Sequence, residues 1–171
     1  MSLARLVFGL GLAALPGIAV AEDPAGCGGF KWPLERERAL LTAPNVPPIA
    51  SGSDIADGGA TPVEITLLPF ADAKLPSPPE RAPKSPTAYA GFVRIAGITK
   101  PGTYNVTLSA EAWIDVIQDG RFIKSTTFSG AVGCAGLRKS VKFDLAAAPV
   151  VVQLSGVSTG SIRVIVSPAT N

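Results

Sequence analysis

The sequence contains no histidine, two cysteines and one methionine among 171 residues. The missing histidine removes the commonest general base and the usual ligand of zinc, copper and non-haem iron. A Ser-His-Asp triad is therefore impossible. Charge is also sparse, with 15 Lys and Arg against 13 Asp and Glu, a formal net charge of +2. Such a chain has no general field to hold nucleic acid or an anionic membrane, and either partner would need a local patch. Apolar runs long enough to span a bilayer are missing as well.

The longest apolar run, Leu6 to Leu15, follows Arg5 and precedes the helix breakers Pro16 and Gly17. Ala19-Val20-Ala21 then supplies small residues at the positions a signal peptidase reads, so the pattern predicts an export signal, residues 1–21, cleaved before Glu22. An uncleaved anchor is the alternative. Lipoprotein processing is excluded because Cys27 lies too far past the site. Residues 22–171 suffice for one domain with a core and are too few for two. Loss of Arg5 would lower the net charge to +1.

Export to a periplasmic or secreted location sets the reading of Cys27 and Cys134. An even pair in an oxidising compartment predicts a disulfide, closing a loop on the order of a hundred residues and contributing about 4 to 5 kcal/mol in the chain-entropy model. The rival reading, two metal ligands, needs further partners that a chain without histidine supplies poorly. A bridge would tie the N-terminal segment to a late loop.

Three zones follow the leader. In residues 22–41, Pro33 suits a first helical position, and Leu34 and Leu41 fall on one face with Glu35 to Arg38 outside. The helix is too short to stand alone and must dock, with Phe30 and Trp32 as anchors. In residues 42–87, prolines from Pro44 to Pro86 forbid regular helix and central strand, and Val63 to Leu67 alternates as one strand between them. The remainder is expected to run extended over the surface rather than to link two domains. Residues 88–171 form a series of short alternating segments around Phe92–Ile95, Tyr104–Leu108, Trp113–Ile117, Arg121–Phe128, Val141–Leu145, Val150–Leu154 and Ile162–Val166. Asp119-Gly120 is the strongest hairpin signal. The expected fold is mainly β, an antiparallel β-sandwich of jelly-roll type with one short N-terminal helix, all packed as a single domain.

Few residues point to chemistry. Ser140 beside Lys139 and Ser125 beside Lys124 leave serine–lysine catalysis formally open, but strand neighbours point to opposite faces. Glu111, Asp115, Asp119 and Asp144 could in principle form a carboxylate pair or bind calcium. Asp119 is explained by its turn, and Asp144 with Lys142 by a solvated face. Asn105-Val106-Thr107 matches a glycosylation triplet inside a strand. The candidate contact surface is Trp113, Arg121, Lys124, Arg138 and Lys142. It would form an anion-binding patch if the strand of Arg121 pairs with that of Lys142. The expected partner is an envelope component: a glycan, a lipid head group or a protein. No catalytic residue, metal ligand or cofactor is assigned.

The stretch Cys27-Gly-Gly-Phe-Lys-Trp-Pro-Leu-Glu-Arg-Glu-Arg-Ala-Leu-Leu41 resembles the opening of a group of small exported bacterial proteins of unknown function. Gly102 to Ser109, Glu111 to Gly120 and Gly133 to Leu145 resemble the same group. Some of its members bear the name homogentisate 1,2-dioxygenase. That name implies Fe(II) held by two His and one carboxylate. This sequence has no His, so no dioxygenase residue carries over to it. A looser resemblance, a Gly-x-Tyr strand before an Asp-Gly hairpin, is to PA14-like and carbohydrate-binding sandwiches.

Overall fold

The computed structural model describes residues 23–169. The predicted leader and its cleavage site lie outside the described residues. Residues 88–169 alternate as the sequence pattern requires, and the alternation closes into two packed sheets. The first sheet runs β1 (Pro48–Ala50), β3 (Val63–Thr66), β12 (Ser161–Pro168), β6 (Gly102–Leu108), β10 (Lys139–Leu145), β9 (Ser125–Gly130) in spatial order. The second runs β2 (Asp54–Ile55), β5 (Tyr89–Ile95), β11 (Val150–Val157), β7 (Trp113–Gln118), β8 (Arg121–Ile123), with β4 (Leu68–Pro69) also on β5. The molecule is a mainly β sandwich. One core cluster, including Val106, Phe143, Val164, Val93, Val152 and Leu154, fills the space between the sheets. Burial of each such side chain contributes about 1.5 to 3 kcal/mol.

The sheets are mixed rather than purely antiparallel, because β1 joins β3 and β2 joins β5 in parallel. Both parallel strands come from the proline-rich zone, where only Val63 to Leu67 was expected to be strand. Pro48 is tolerated because β1 is an edge strand, where a missing N–H can face away from the ladder. The Asp119-Gly120 hairpin forms as predicted, with φ of 50° and 72° at the two residues. These are the paired positive values that a twisted two-residue hairpin demands.

The single strand expected from Arg121 to Phe128 is instead broken at Lys124. β8 stays with β7 in the second sheet, and β9 crosses to pair with β10 in the first. The chain thus turns a corner at one edge of the sandwich.

Helix α1 (Glu35–Leu41) lies on the outer face of the first sheet. It begins two residues after Pro33, which therefore precedes the helix rather than opening it. Leu34 and Leu41 pack with Leu137 and Ile165 in a second apolar cluster. Glu37, expected outside, is buried and accepts a hydrogen bond from Ser167 Oγ at 2.8 Å. Arg163 fastens the helix end. Its Nη1 donates to the carbonyls of Leu41 and Ala43 at 2.8 and 3.1 Å, satisfying groups a helix leaves unpaired. Its Nε donates to Glu64 at 2.8 Å, and this bond holds the Glu64 carboxyl below the ordinary range.

Cys27 and Cys134 are joined in a disulfide. Around it, Gly26 N–H donates to Val132 O and Val132 N–H to Pro24 O, so the N-terminal segment lies along the loop that follows β9.

Candidate functional site

Among the described residues, the only strand beside β7 on its outer side is β8, and β8 reaches only Val116 to Gln118. The first half of β7, Trp113 to Asp115, is therefore flanked on one side alone, by β11. Opposite it stands the start of β10. A cleft opens in this gap between the two sheets.

Residues 76–87 cross the outer face of the second sheet and form the roof. Ser77 N–H donates to Gln153 Oε1 at 3.3 Å, and Glu80 N–H to Asp115 Oδ2 at 3.3 Å. Proline leaves few donors in this segment, and these two N–H groups are among those that find buried acceptors. Beneath the roof, Gln153 Nε2 donates to Asp115 Oδ2 at 3.2 Å and Trp113 Nε1 to Asp115 Oδ1 at 2.7 Å. Asp115 is only 2% exposed. Burial pushes its carboxyl above the ordinary aspartate range, against the three hydrogen bonds, which favour the ionised form.

That shift has a sign. With the folded value raised, the contribution of Asp115 is fully present below its unfolded value, about pH 4, and is lost as pH rises through the folded value. Asp115→Asn is expected to flatten this slope, read as the pH dependence of the urea midpoint. It also lowers stability by about 1 to 3 kcal/mol, because its amide turns a donor toward the donors Glu80 N–H and Gln153 Nε2. Parallel pH profiles for the two proteins would show that the carboxyl titrates as in the unfolded chain.

The cleft has two lobes that share Arg81, Trp113 and Lys139. The Arg81 guanidinium lies 5.5 Å from the centre of the Trp113 ring and covers one face of it. The outer lobe, about 220 Å³, is walled by Lys84, Ser85, Glu111 and Ser155 with Ala82, Pro83 and Ala112. The inner lobe, about 400 Å³, is lined by Ile114, Ile123, Phe128, Val141 and Phe143 with Glu80 and Ser125, so both lobes mix apolar and polar walls. Lys139 Nζ donates to Glu111 Oε1 at 3.1 Å and to the Ala112 carbonyl at 2.9 Å. Ser155 is 1% exposed, and its Oγ finds no hydrogen-bond partner among the described residues. A buried hydroxyl left unpaired costs about 1 to 3 kcal/mol.

The five residues singled out from sequence do not gather here. Trp113 is at the cleft. Arg138 is neutralised, with Nη2 at 2.8 Å from both Asp23 and Glu111. Lys142 projects from the outer face of the first sheet, 4.6 Å from the Trp32 ring. Arg121 and Lys124 are exposed at the two ends of β8. The condition for a joint patch fails, since β8 pairs with β7 while β10 pairs with β6 and β9. Arg81, Lys84 and Ser155 escaped the sequence reading. The signal available for the first two was the charge interrupting a proline-rich stretch.

Ser140 Oγ lies 2.9 Å from Thr107 Oγ1, a buried cross-strand bond that accounts for its hydroxyl. No group of three or more His, Cys, Asp or Glu is placed to hold a metal ion among the described residues. No helix among them is long and apolar enough to cross a membrane. No protein-family model, curated protein or solved structure matches the chain.

Proposed function

We propose that this protein is an exported, non-catalytic binding module of the cell envelope, with the Trp113 cleft as its contact site. The observation that carries the reading is the cleft itself. It combines an aromatic wall, cations on its rim and apolar side chains of the sandwich within. Small-molecule sites have this make-up, an apolar hollow with a few placed polar groups. The Cys27–Cys134 bond supports an oxidising compartment, where such bonds persist. The leader-like residues 1–21 support the same address.

Two measurements test the proposal. Mass spectrometry of the protein recovered from a periplasmic fraction is expected to find Glu22 at the N-terminus. Recovery of the full chain from the cytosol would end the export reading. For the site, the mature protein is screened against envelope glycans and lipids beside Trp113→Ala and Lys84→Glu, with folding checked by circular dichroism. The expected result is saturable binding to at least one ligand, weakened about tenfold or more in both variants. Binding indifferent to both, or none at all, overturns the site.

A further inference from the structure

We infer that the Cys27–Cys134 bond is a site of thiol–disulfide exchange in the folded protein, attacked at Cys27 by a small thiol. This goes beyond the binding-module reading and does not depend on the Trp113 cleft. The two halves of the bond differ in access. Cys27 is exposed, whereas Cys134 is 8% exposed and packs with Leu34, Leu41, Leu137 and Ile165. A thiolate displaces a disulfide sulfur in line with the bond, so it must reach Cys27 from the side away from Cys134. A surface hollow of about 310 Å³ borders Cys27 and not Cys134. It is room enough for a small thiol beside the sulfur that must be struck. Among the charged residues of the hollow, Lys31 and Arg38 outnumber Glu35. The excess of cations favours the arrival of an anionic thiolate.

The attack forms a bond between the incoming sulfur and Cys27 Sγ and breaks the Cys27–Cys134 bond. The electron pair leaves on Cys134 Sγ, which takes a proton from water. A second thiol then attacks the incoming sulfur of the mixed disulfide and releases Cys27 as its thiolate. Two electrons pass to the protein, and the two small thiols leave as their own disulfide. The fold does not have to open for this. The bond lies outside the core that fills the space between the sheets. The segment it ties keeps the Ala25–Val132 bridge, the hydrogen bond from Lys31 N–H to Ser129 Oγ and the Asp23–Arg138 ion pair. Exposed disulfides are the exchangeable class, in contrast to bonds sealed in a core.

The test is exposure of the oxidised protein to reduced glutathione, a small anionic thiol, with timed acid quenching and alkylation. Peptide mass spectrometry of early samples is expected to find glutathione on Cys27 and a free thiol at Cys134. Phe143→Ala separates exchange in the folded state from exchange after unfolding, because its site belongs to the core between the sheets. The variant is expected to react within about threefold of the wild-type rate, since no global opening is needed. A rise of about tenfold or more would show that only the unfolded chain exchanges and would overturn the inference. Should Phe143→Ala fail to fold, dilute urea below the unfolding midpoint takes its place. A wild-type rate unchanged by the urea supports exchange in the folded state, and a rate that climbs with it overturns the inference. Glutathione found mainly on Cys134, or a bond that glutathione leaves intact in the folded protein, overturns it as well.

Discussion

The double variant Cys27→Ser/Cys134→Ser is expected to melt about 10 °C below the wild type, a loss of about 3 to 5 kcal/mol for a chain of this size. The two cysteines are 107 residues apart, so the bond removes a large amount of freedom from the unfolded chain. In the folded state it reinforces a segment whose Phe30 and Trp32 pack against the Leu34, Leu41, Leu137 and Ile165 cluster, as expected of the anchors. Residues 23–33 contribute the Ala25–Val132 bridge, a hydrogen bond from Lys31 N–H to Ser129 Oγ, and the Asp23–Arg138 ion pair. Helix α1 is seven residues long and depends on docking. Calorimetry under oxidising and reducing conditions checks the prediction. A wild type whose melting point is unmoved by reduction of its disulfide would show that the unfolded chain gains nothing from losing the bridge.

Phe143→Ala is expected to lower stability by about 3 to 5 kcal/mol, the range for emptying a buried phenylalanine site. A urea midpoint would fall by about 2 M at an ordinary slope. Phe143 is 2% exposed and lies in the core between the sheets. Its neighbours Val141 and Leu145 on β10 point the same way, so little of the hollow can close. Phe128→Ala provides the contrast. Phe128 pairs with Val141 across β9 and β10 but is 54% exposed at the corner of the sandwich. Its removal is expected to change stability by no more than about 0.5 kcal/mol. Similar losses at both positions would show that the corner is packed in solution and that the inner lobe is closed.

These two phenylalanines mark where the sequence ceases to be informative. Both sit in short segments read as strand from the sequence, and Phe128 pairs with Val141, which faces inward beside Phe143. Face alone does not determine burial. Phe143 lies under the second sheet, while Phe128 lies past the end of β8, with the Lys31 ammonium 5.0 Å from the centre of its ring. The length of a neighbouring strand decides the matter, and that is a nonlocal fact. The break at Lys124 is of the same kind. Arg121 to Phe128 reads as continuous strand, yet its halves find hydrogen-bond partners in different sheets.

What the sequence determined by itself was everything carried by local pattern. Alternation specified a β-sandwich, the Asp119-Gly120 pair specified its hairpin, and an even pair of cysteines behind a leader-like run specified the bridge. Leu34 and Leu41 specified which side of the short helix would dock. Each follows from backbone geometry or from the chemistry of one or two residues. Only the tertiary structure decided which charges are free. Arg138 and Lys142, prominent in sequence, are occupied by Asp23, Glu111 and Trp32. Arg81 and Lys84, hidden among prolines, line a cleft and form no ion pair among the described residues. The reason is that a charge acquires its partner through space, and the proline-rich segment that brings Arg81 to Trp113 is positioned by hydrogen bonds to Asp115 and Gln153, which lie 35 and 76 residues farther along the chain.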